Sequence, residues 1–234
     1  MIGKRQRGFT LVELSLVMGF FSVLLIAILT LTIHIGKLYT KGMTTKSLNV
    51  VSRDITDAVR RDFAAADPTR VSGILMEGTT NKRGRICLGN VSYVWNTVGL
   101  LNTADPTTTA VKWADGTNVK FARIVDTAKS YCVMSGGVYP GTIPATATAS
   151  DLLSGEDAVN RRDFAIYTLA IASVASSGSD GLYKLDFTIG TYDPQTTDSV
   201  GGVVICKPPT DMQANFQYCS VTELSMYVRT GGER

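Results

Sequence analysis

Histidine is nearly absent from this chain of 234 residues: His34 is the only one, and it lies within a long apolar segment. Nucleophilic catalysis by serine or cysteine usually depends on a histidine base, so no such catalytic group can form in the rest of the chain. The sequence also lacks a P-loop, a dinucleotide-binding fingerprint and an EF-hand loop. We therefore expect a protein that is not an enzyme, with no catalytic residues and no cofactor.

Residues that bind metals are sparse and poorly spaced. No Cys-x-x-Cys pair is present, so a zinc site is not expected. Asp186, Asp193 and Asp198 surround a Tyr-Asp-Pro turn and are the best candidates for holding Ca²⁺, but their spacing is not diagnostic. An ordinary polar turn is the preferred interpretation, and no metal site is predicted.

An excess of basic residues is missing as well. The formal charge of +3 equals the contribution of Lys4, Arg5 and Arg7, so the remainder of the chain is formally neutral. Positive residues before an apolar segment hold that end of the chain on the cytoplasmic side. The basic stub is therefore interpreted as a topology signal for a single-pass inner-membrane protein, with the N-terminus inside and the head outside.

Apolar sequence, by contrast, is abundant directly after that stub. The segment 14–35 is 22 residues long and mostly apolar, enough for one helix across ~30 Å of hydrocarbon at ~1.5 Å per residue. It begins as Gly8-Phe9-Thr10-Leu11-Val12-Glu13, with a glycine at the junction and a lone carboxylate five residues later. A carboxylate inside a membrane costs a few kcal/mol, so Glu13 needs a partner. Cleavage after Gly8 would create one, the amino group of Phe9 on a neighbouring subunit.

This junction resembles the class III signal of type IV pilins and type II secretion pseudopilins. The resemblance implies that a prepilin peptidase cuts after Gly8 and N-methylates Phe9, and that Glu13 guides docking of the subunit into a filament. The implied partners are other pilin subunits, the peptidase, an inner-membrane assembly platform and the membrane. The mature protein would then lie in an extracellular pilus or in a pseudopilus that spans the periplasm. An ordinary signal anchor with a chance glutamate is the alternative.

Two shorter stretches suggest which kind of subunit this is. Residues 52–61 resemble the corresponding helix of J-type pseudopilins and W-type minor pilins, and residues 218–229 fit the last strand of that kind of sheet. The expected function is therefore that of a structural subunit, minor and placed at the initiating tip. Pilus, secretion and competence systems all stay open.

A second helical pattern continues the apolar segment. Apolar residues recur at steps of three and four, and charged residues fill the other faces, which is typical of an amphipathic helix. The Asp67-Pro68 pair ends it, since the residue before proline is pushed out of the helical region. A nearly continuous helix is predicted from Phe9 to about Ala65, ~85 Å long. Its core-facing positions are Leu48, Val51, Ile55, Ala58 or Val59, and Phe63.

Beyond Pro68 the apolar period changes towards two, which indicates strands. The predicted fold class is α+β, a long N-terminal helix packed by its amphipathic half against a mostly antiparallel sheet. The predicted organisation is a cleaved leader (1–8), the long helix (9–67, with 9–35 as transmembrane or filament core and 36–67 amphipathic) and a β-rich head (68–234). Strands are predicted at 86–95, 118–125, 131–134, 164–172, 182–189, 203–206 and 221–228.

The four cysteines are expected to form disulfides, because an even count in an exported chain favours them. Of the three pairings, the one with Cys206–Cys219 closes the shortest loop and leaves Cys87–Cys132 as the second bond. A loop of about 15 residues contributes ~3 kcal/mol in the chain-entropy model. Free buried thiols are the alternative.

A displayed binding module, for DNA uptake or surface adhesion, is the alternative function. Lys82-Arg83-Gly84-Arg85 is the densest basic cluster of the head and is the candidate nucleic-acid contact. Trp95 and Trp113 follow in sequence and could stack on bases. Against this, short basic loops are usually only solvated, and the chain beyond the stub is neutral.

Overall fold

The computed structural model describes residues 10–72, 75–78, 83–102, 109–153, 163–174, 181–193, 195–200, 203–211 and 215–231. One long helix, α1 (Leu11–Ala65), precedes a head with a short helix, α2 (Val98–Asn102). The described strands are β1 (Leu75–Glu77), β2 (Arg83–Cys87), β3 (Val91–Asn96), β4 (Lys112–Trp113), β5 (Phe121–Val125), β6 (Thr142–Ile143), β7 (Ala149–Asp151), β8 (Phe164–Ser173), β9 (Leu182–Thr191), β10 (Thr197–Val200), β11 (Val203–Cys206) and β12 (Val221–Arg229). Short 3₁₀ turns lie at Pro68–Arg70, Ser130–Cys132 and Phe216–Tyr218. The fold is α+β, as predicted.

Helix α1 begins and ends at residues suited to those positions. Thr10 is extended, and its hydroxyl accepts from the Glu13 N–H at 3.2 Å, which satisfies one of the free amides of the first turn. At the other end the Ala66 N–H donates to the Phe63 carbonyl, and the Asp67-Pro68 pair stops the helix where the sequence predicts. The 55 residues between form one uninterrupted helix.

The amphipathic stripe of α1 enters the core of the head. Leu48, Ile55 and Phe63 are buried, as are Ala58 and Val59. They pack against the inner faces of two antiparallel sheets, one with the order β1-β2-β3-β5-β7 and one with the order β12-β9-β8. The predicted core-facing positions are thus confirmed, except that Val51 is only half-buried.

The five-stranded sheet is covered on both of its faces. Along β3, Tyr93 and Trp95 point into the helix-side core, whereas Val94 points into a second apolar cluster on the far face. That second cluster also contains Cys87 and Ile143, the latter from the parallel pair β4–β6. This double burial explains why every residue of β2 and β3 is buried.

Two strand predictions are wrong, each for a local reason. Residues 86–95 form two strands, because the chain turns back at Gly89, whose φ of +98° suits glycine. Residues 131–134 are not a strand, since Ser130–Cys132 forms a 3₁₀ turn. That turn is fixed by the Asp126 carboxylate, which accepts the N–H groups of Ser130 and Tyr131.

Both disulfides have the pairing that the sequence favours. Cys206 is bonded to Cys219, and Cys87 is bonded to Cys132. The first closes a loop beside α1, and the second joins the end of β2 to the 3₁₀ turn at Ser130–Cys132. Each bond therefore links a non-regular segment to a strand of the head.

A buried ionic contact holds α1 to the larger sheet. Asp62, on the stripe of α1, accepts from Arg123 of β5 through Nε at 2.6 Å and Nη2 at 2.8 Å. The Tyr93 hydroxyl donates to the same carboxylate. Burial and the neighbouring Asp62 charge raise the pKa of Tyr93 far above its usual value, so the phenol remains a donor. The hydrogen bonds that Arg123 donates to Asp62 also raise the pKa of Arg123.

The first prediction concerns this contact. Asp62→Ala should lower the free energy of unfolding by about 3 kcal/mol, because it leaves a partly buried guanidinium and a buried phenol without their acceptor. Urea unfolding of the full chain in detergent micelles, followed by near-ultraviolet circular dichroism, measures the change. The matched control is Asp57→Ala on the exposed side of the same helix, which should change stability by no more than ~0.5 kcal/mol. Equal losses in both variants would contradict the assignment.

Candidate functional site

The most unusual surface of the described chain is the first half of α1. Every residue from Leu11 to Tyr39 is exposed, although most are large and apolar. We call residues 11–35 the apolar half and residues 41–65 the docked half. The apolar half is ~37 Å long, more than the ~30 Å of a bilayer core. By length and composition it is the one described helix that can cross a membrane.

The hydroxyl groups of the apolar half form hydrogen bonds with their own helix. Ser15 donates to the Val12 carbonyl at 2.8 Å, and the hydroxyls of Ser22, Thr30 and Thr32 donate to carbonyls three or four residues earlier. Each hydroxyl is therefore satisfied without water, and a lipid or protein environment leaves none of these donors unpaired. This arrangement suits a helix that is covered along its whole circumference.

Glu13 is the one carboxylate within the apolar half. It lies in the first turn of α1, where the unpaired N–H groups of the helix start favour a negative charge. Among the described residues no basic side chain forms an ion pair with it. Gly8 and Phe9, the predicted processing residues, lie outside the described residues. Glu13 is exposed, so its carboxylate is open to an amino group or another basic group.

The docked half begins at a defined exit site, formed by Lys41, Thr44 and the 3₁₀ turn Phe216–Tyr218 with Cys219. Lys41 donates to the Cys219 carbonyl and lies 4.5 Å from the centre of the Phe216 ring, and burial lowers its pKa. Thr44, fully buried, donates to the Gln217 carbonyl at 3.1 Å. Sequence reasoning missed this site, because a single lysine after an apolar run carries no signal of a tertiary contact.

The predicted basic contact for nucleic acid is not on the surface. Arg83 and Arg85 are 4% and 0% exposed, and both donate to the Glu77 carboxylate. Arg85 also donates to the backbone carbonyls of Tyr131 and Pro140, so its guanidinium is hydrogen-bonded inside the head. These two arginines are therefore unavailable to phosphate groups, which corrects the expectation; Lys82 lies outside the described residues.

Trp95, Asp186 and Asp193 also have contacts within the fold, whereas Trp113 is half-buried and Asp198 is exposed. Trp95 is fully buried, so it cannot stack on a base. Asp186 accepts from Ser225 and pairs with Lys184, whereas Asp193 accepts from the Gln195 N–H of its own turn. Within the described ranges no three His, Cys, Asp or Glu residues are close enough to hold a metal ion.

No family model, curated protein or solved structure matches this chain.

The second prediction tests the environment of the apolar half. Leu24→Lys combined with Ile28→Lys places two charges on adjacent turns, each costing about 3 kcal/mol at the centre of a bilayer. We expect the protein to move from the carbonate-resistant membrane fraction to the extractable fraction. The control carries the same charges at two exposed positions of the docked half, Asn49→Lys and Val50→Lys, and should stay in the membrane fraction. Retention of both variants would show that the apolar half does not determine membrane association.

Proposed function

We propose that this protein is a structural subunit of a type IV pilus or a type II secretion pseudopilus, minor and placed at the initiating tip. The observation that carries the proposal is the division of α1 into an exposed apolar half with one carboxylate and a docked half. A plain membrane anchor needs the apolar length but has no use for Glu13. A filament subunit uses both, because helices packed side by side bury their apolar surface and must pair that charge.

The chemistry at Glu13 favours an amino group as its partner. Cleavage after Gly8 releases the α-amino group of Phe9, which remains positively charged after N-methylation. In a filament, the Phe9 amino group of one subunit would pair with the Glu13 carboxylate of its neighbour. Such a pair removes the cost of a lone buried charge only when two subunits are in register, so it selects the correct longitudinal offset between helices.

The head and the helix would then have separate roles in assembly. Prepilin peptidase acts on the N-terminal junction, and an inner-membrane platform extracts the apolar half from the lipid into the filament. The head stays outside the membrane, where its two disulfides are stable in an oxidising compartment. In this role the protein catalyses nothing and needs no cofactor; its one reaction is the cleavage that is performed on it.

The third prediction concerns processing and assembly. Protein recovered from membranes and from sheared surface material should have the intact mass of a chain that begins at N-methylated Phe9. Glu13→Ala should leave cleavage intact but deplete the protein from the sheared fraction, since the register-selecting pair is lost. Ser15→Ala, two residues away on the same exposed helix, is the control and should assemble normally. An uncut chain confined to the membrane would refute the pilin interpretation.

A displayed binding function is a second candidate, and one loop of the head favours it. Residues 133–139 form a hairpin whose turn is Gly136-Gly137, both at positive φ. Its described residues are uncharged, and Val133, Met134 and Val138 are 58%, 53% and 60% exposed. Isolated apolar residues on a surface are ordinary, but three on one short loop suggest a contact surface.

The base of this hairpin is firmly held. Arg85 binds the carbonyls on both sides of it, at Tyr131 and Pro140, and lies 4.5 Å from the Tyr139 ring centre. Cys132 is covalently attached to β2 through Cys87. A loop whose base is fixed presents its tip with little loss of conformational entropy on binding.

The hairpin also lies at the far end of the head. The Cys132 sulfur is 3.5 Å from the hydroxyl of Ser72, which follows the end of α1. The exit site is ~36 Å away along the docked half. The base of the loop therefore lies near the end of α1 that is remote from the apolar half, on the side where an adhesive tip would act.

The fourth prediction tests adhesion by this hairpin. The full chain in lipid nanodiscs should bind alkyl-coated glass, and Met134→Ser with Val138→Ser should reduce that binding several-fold. The control Val174→Ser removes an apolar residue elsewhere on the head that is 48% exposed. Undiminished binding of the double variant would show that the hairpin is not part of the adhesive surface. Salt-dependent binding of the full chain to DNA would favour a role in DNA uptake over adhesion.

A further inference from the structure

The two-stranded ribbon β10–β11 exposes apolar side chains near the exit site. Its register pairs Val200 with Val203 and Asp198 with Ile205, so these four side chains share one face. Val200, Val203 and Ile205 are 59%, 51% and 41% exposed. Asp198 is the only charged residue of the two described strands. A ribbon with a mainly aliphatic open face is an unusual surface for a protein head in water.

Covalent and polar contacts place the base of this ribbon beside α1. The last residue of β11, Cys206, is bonded to Cys219, and the Cys206 sulfur lies 3.9 Å from the Lys41 ammonium. Tyr218, half exposed, lies in the 3₁₀ turn that packs on the same stretch of α1. The ribbon is therefore attached to the head at the exit site, where the helix leaves the fold.

Distances along the chain bring this surface within reach of the apolar half. Lys41 follows Ile35 by six residues, or ~9 Å along the helix. A four-residue strand is ~13 Å long, so the ribbon is long enough to cover that distance. A ribbon that runs along α1 from Lys41 towards the apolar half therefore reaches the level of Ile35.

The residues around the ribbon have the composition of a membrane interface. Tyr39 on α1 is 70% exposed and Tyr218 on the head is 48% exposed, and tyrosine is enriched where lipid meets water. Lys37 and Lys207 are close in sequence to the end of the apolar half and to the ribbon, respectively. Lysine side chains at this level can reach lipid phosphate groups.

We propose that the aliphatic face of β10–β11, together with Tyr218, is a second membrane-contact surface that rests in the headgroup region of the bilayer that α1 crosses. The proposal depends on the membrane-spanning role given to α1 under the proposed function. Its partner is a phospholipid bilayer, recognised by three aliphatic side chains and flanking tyrosine and lysine. With both α1 and the ribbon attached to the bilayer, the head has a fixed rotation about the helix axis before assembly. A single helix in the bilayer cannot fix that rotation.

A fluorescence experiment on the full chain tests this surface. An environment-sensitive fluorescent amino acid is incorporated in place of Val203, Leu24 or Val174, and each variant is placed at one copy per nanodisc of phosphatidylethanolamine and phosphatidylglycerol. Lipids carrying a nitroxide in the headgroup region act as quenchers. Val174 is the water-exposed control, since its strand ends beside Leu182, on the part of the sheet that packs near Phe63 at the far end of α1.

We expect the probe at position 203 to shift its emission to shorter wavelength and to be quenched at least several-fold more than the probe at 174. Leu24 reports separately whether α1 is inserted. A water-like signal at 203 with a lipid-like signal at 24 would overturn the ribbon contact and leave the proposed function intact. Water-like signals at both positions would overturn the two together. Quenching at 203 that requires two copies per nanodisc would also overturn the proposal, in favour of a contact between subunits.

Discussion

The carboxylate of Asp62 is the contact on which the position of the helix depends. It is the only acidic group on the buried stripe of α1, and it receives both Arg123 and Tyr93 from adjacent strands of the larger sheet. Apolar packing along the stripe would tolerate small shifts of the helix along its axis, because such contacts are not directional. A bidentate ion pair does not tolerate them, since both nitrogens must face both oxygens. The Asp62 carboxylate therefore sets the register of the helix against the larger sheet, and the area of burial supplies the stability.

That register explains how one helix can have two environments. The docked half buries only a stripe, whereas the apolar half buries nothing within the described chain and satisfies its own hydroxyl groups. The change occurs over a few residues at Lys41 and Thr44, where the head supplies carbonyl acceptors from the loop next to a disulfide. A sharp boundary of this kind lets the apolar half have surroundings different from those of the docked half without disturbing the core.

The regular parts of this fold were readable from the sequence because their signals are periodic. The stripe of α1, the stop at Asp67-Pro68 and the strands β8, β9 and β12 all follow from spacing of apolar residues, and they agree with the structure within a few residues. The two wrong strand predictions lie where a single residue determines the path of the backbone. Gly89 turns the chain within what reads as one strand, and the Asp126 carboxylate holds a 3₁₀ turn where the pattern suggests a strand.

Buried charge was the least predictable feature. Arg83 and Arg85 read as a basic surface cluster, because the residue that neutralises them, Glu77, comes from a neighbouring strand and the carbonyls that they bind come from distant loops. Asp62 had no signal either, since an acidic residue among other charged residues of a helix is normally solvated. The partners of buried charged residues can be identified only when the pairing of the strands is known. The apolar half of α1, by contrast, could be predicted from its sequence alone.

The single uninterrupted helix also has a mechanical consequence. If the apolar half is held among other helices and the head is pulled outward, the load passes along α1 and enters the head over the ~36 Å from Lys41 to Ala65. Contacts spread along that length are strained together in shear, so they resist as a group instead of opening one after another. The loop that takes the load first, beside Lys41, is closed by the covalent bond between Cys206 and Cys219. Traction on α1 is thus passed first to a loop whose two ends a covalent bond holds together.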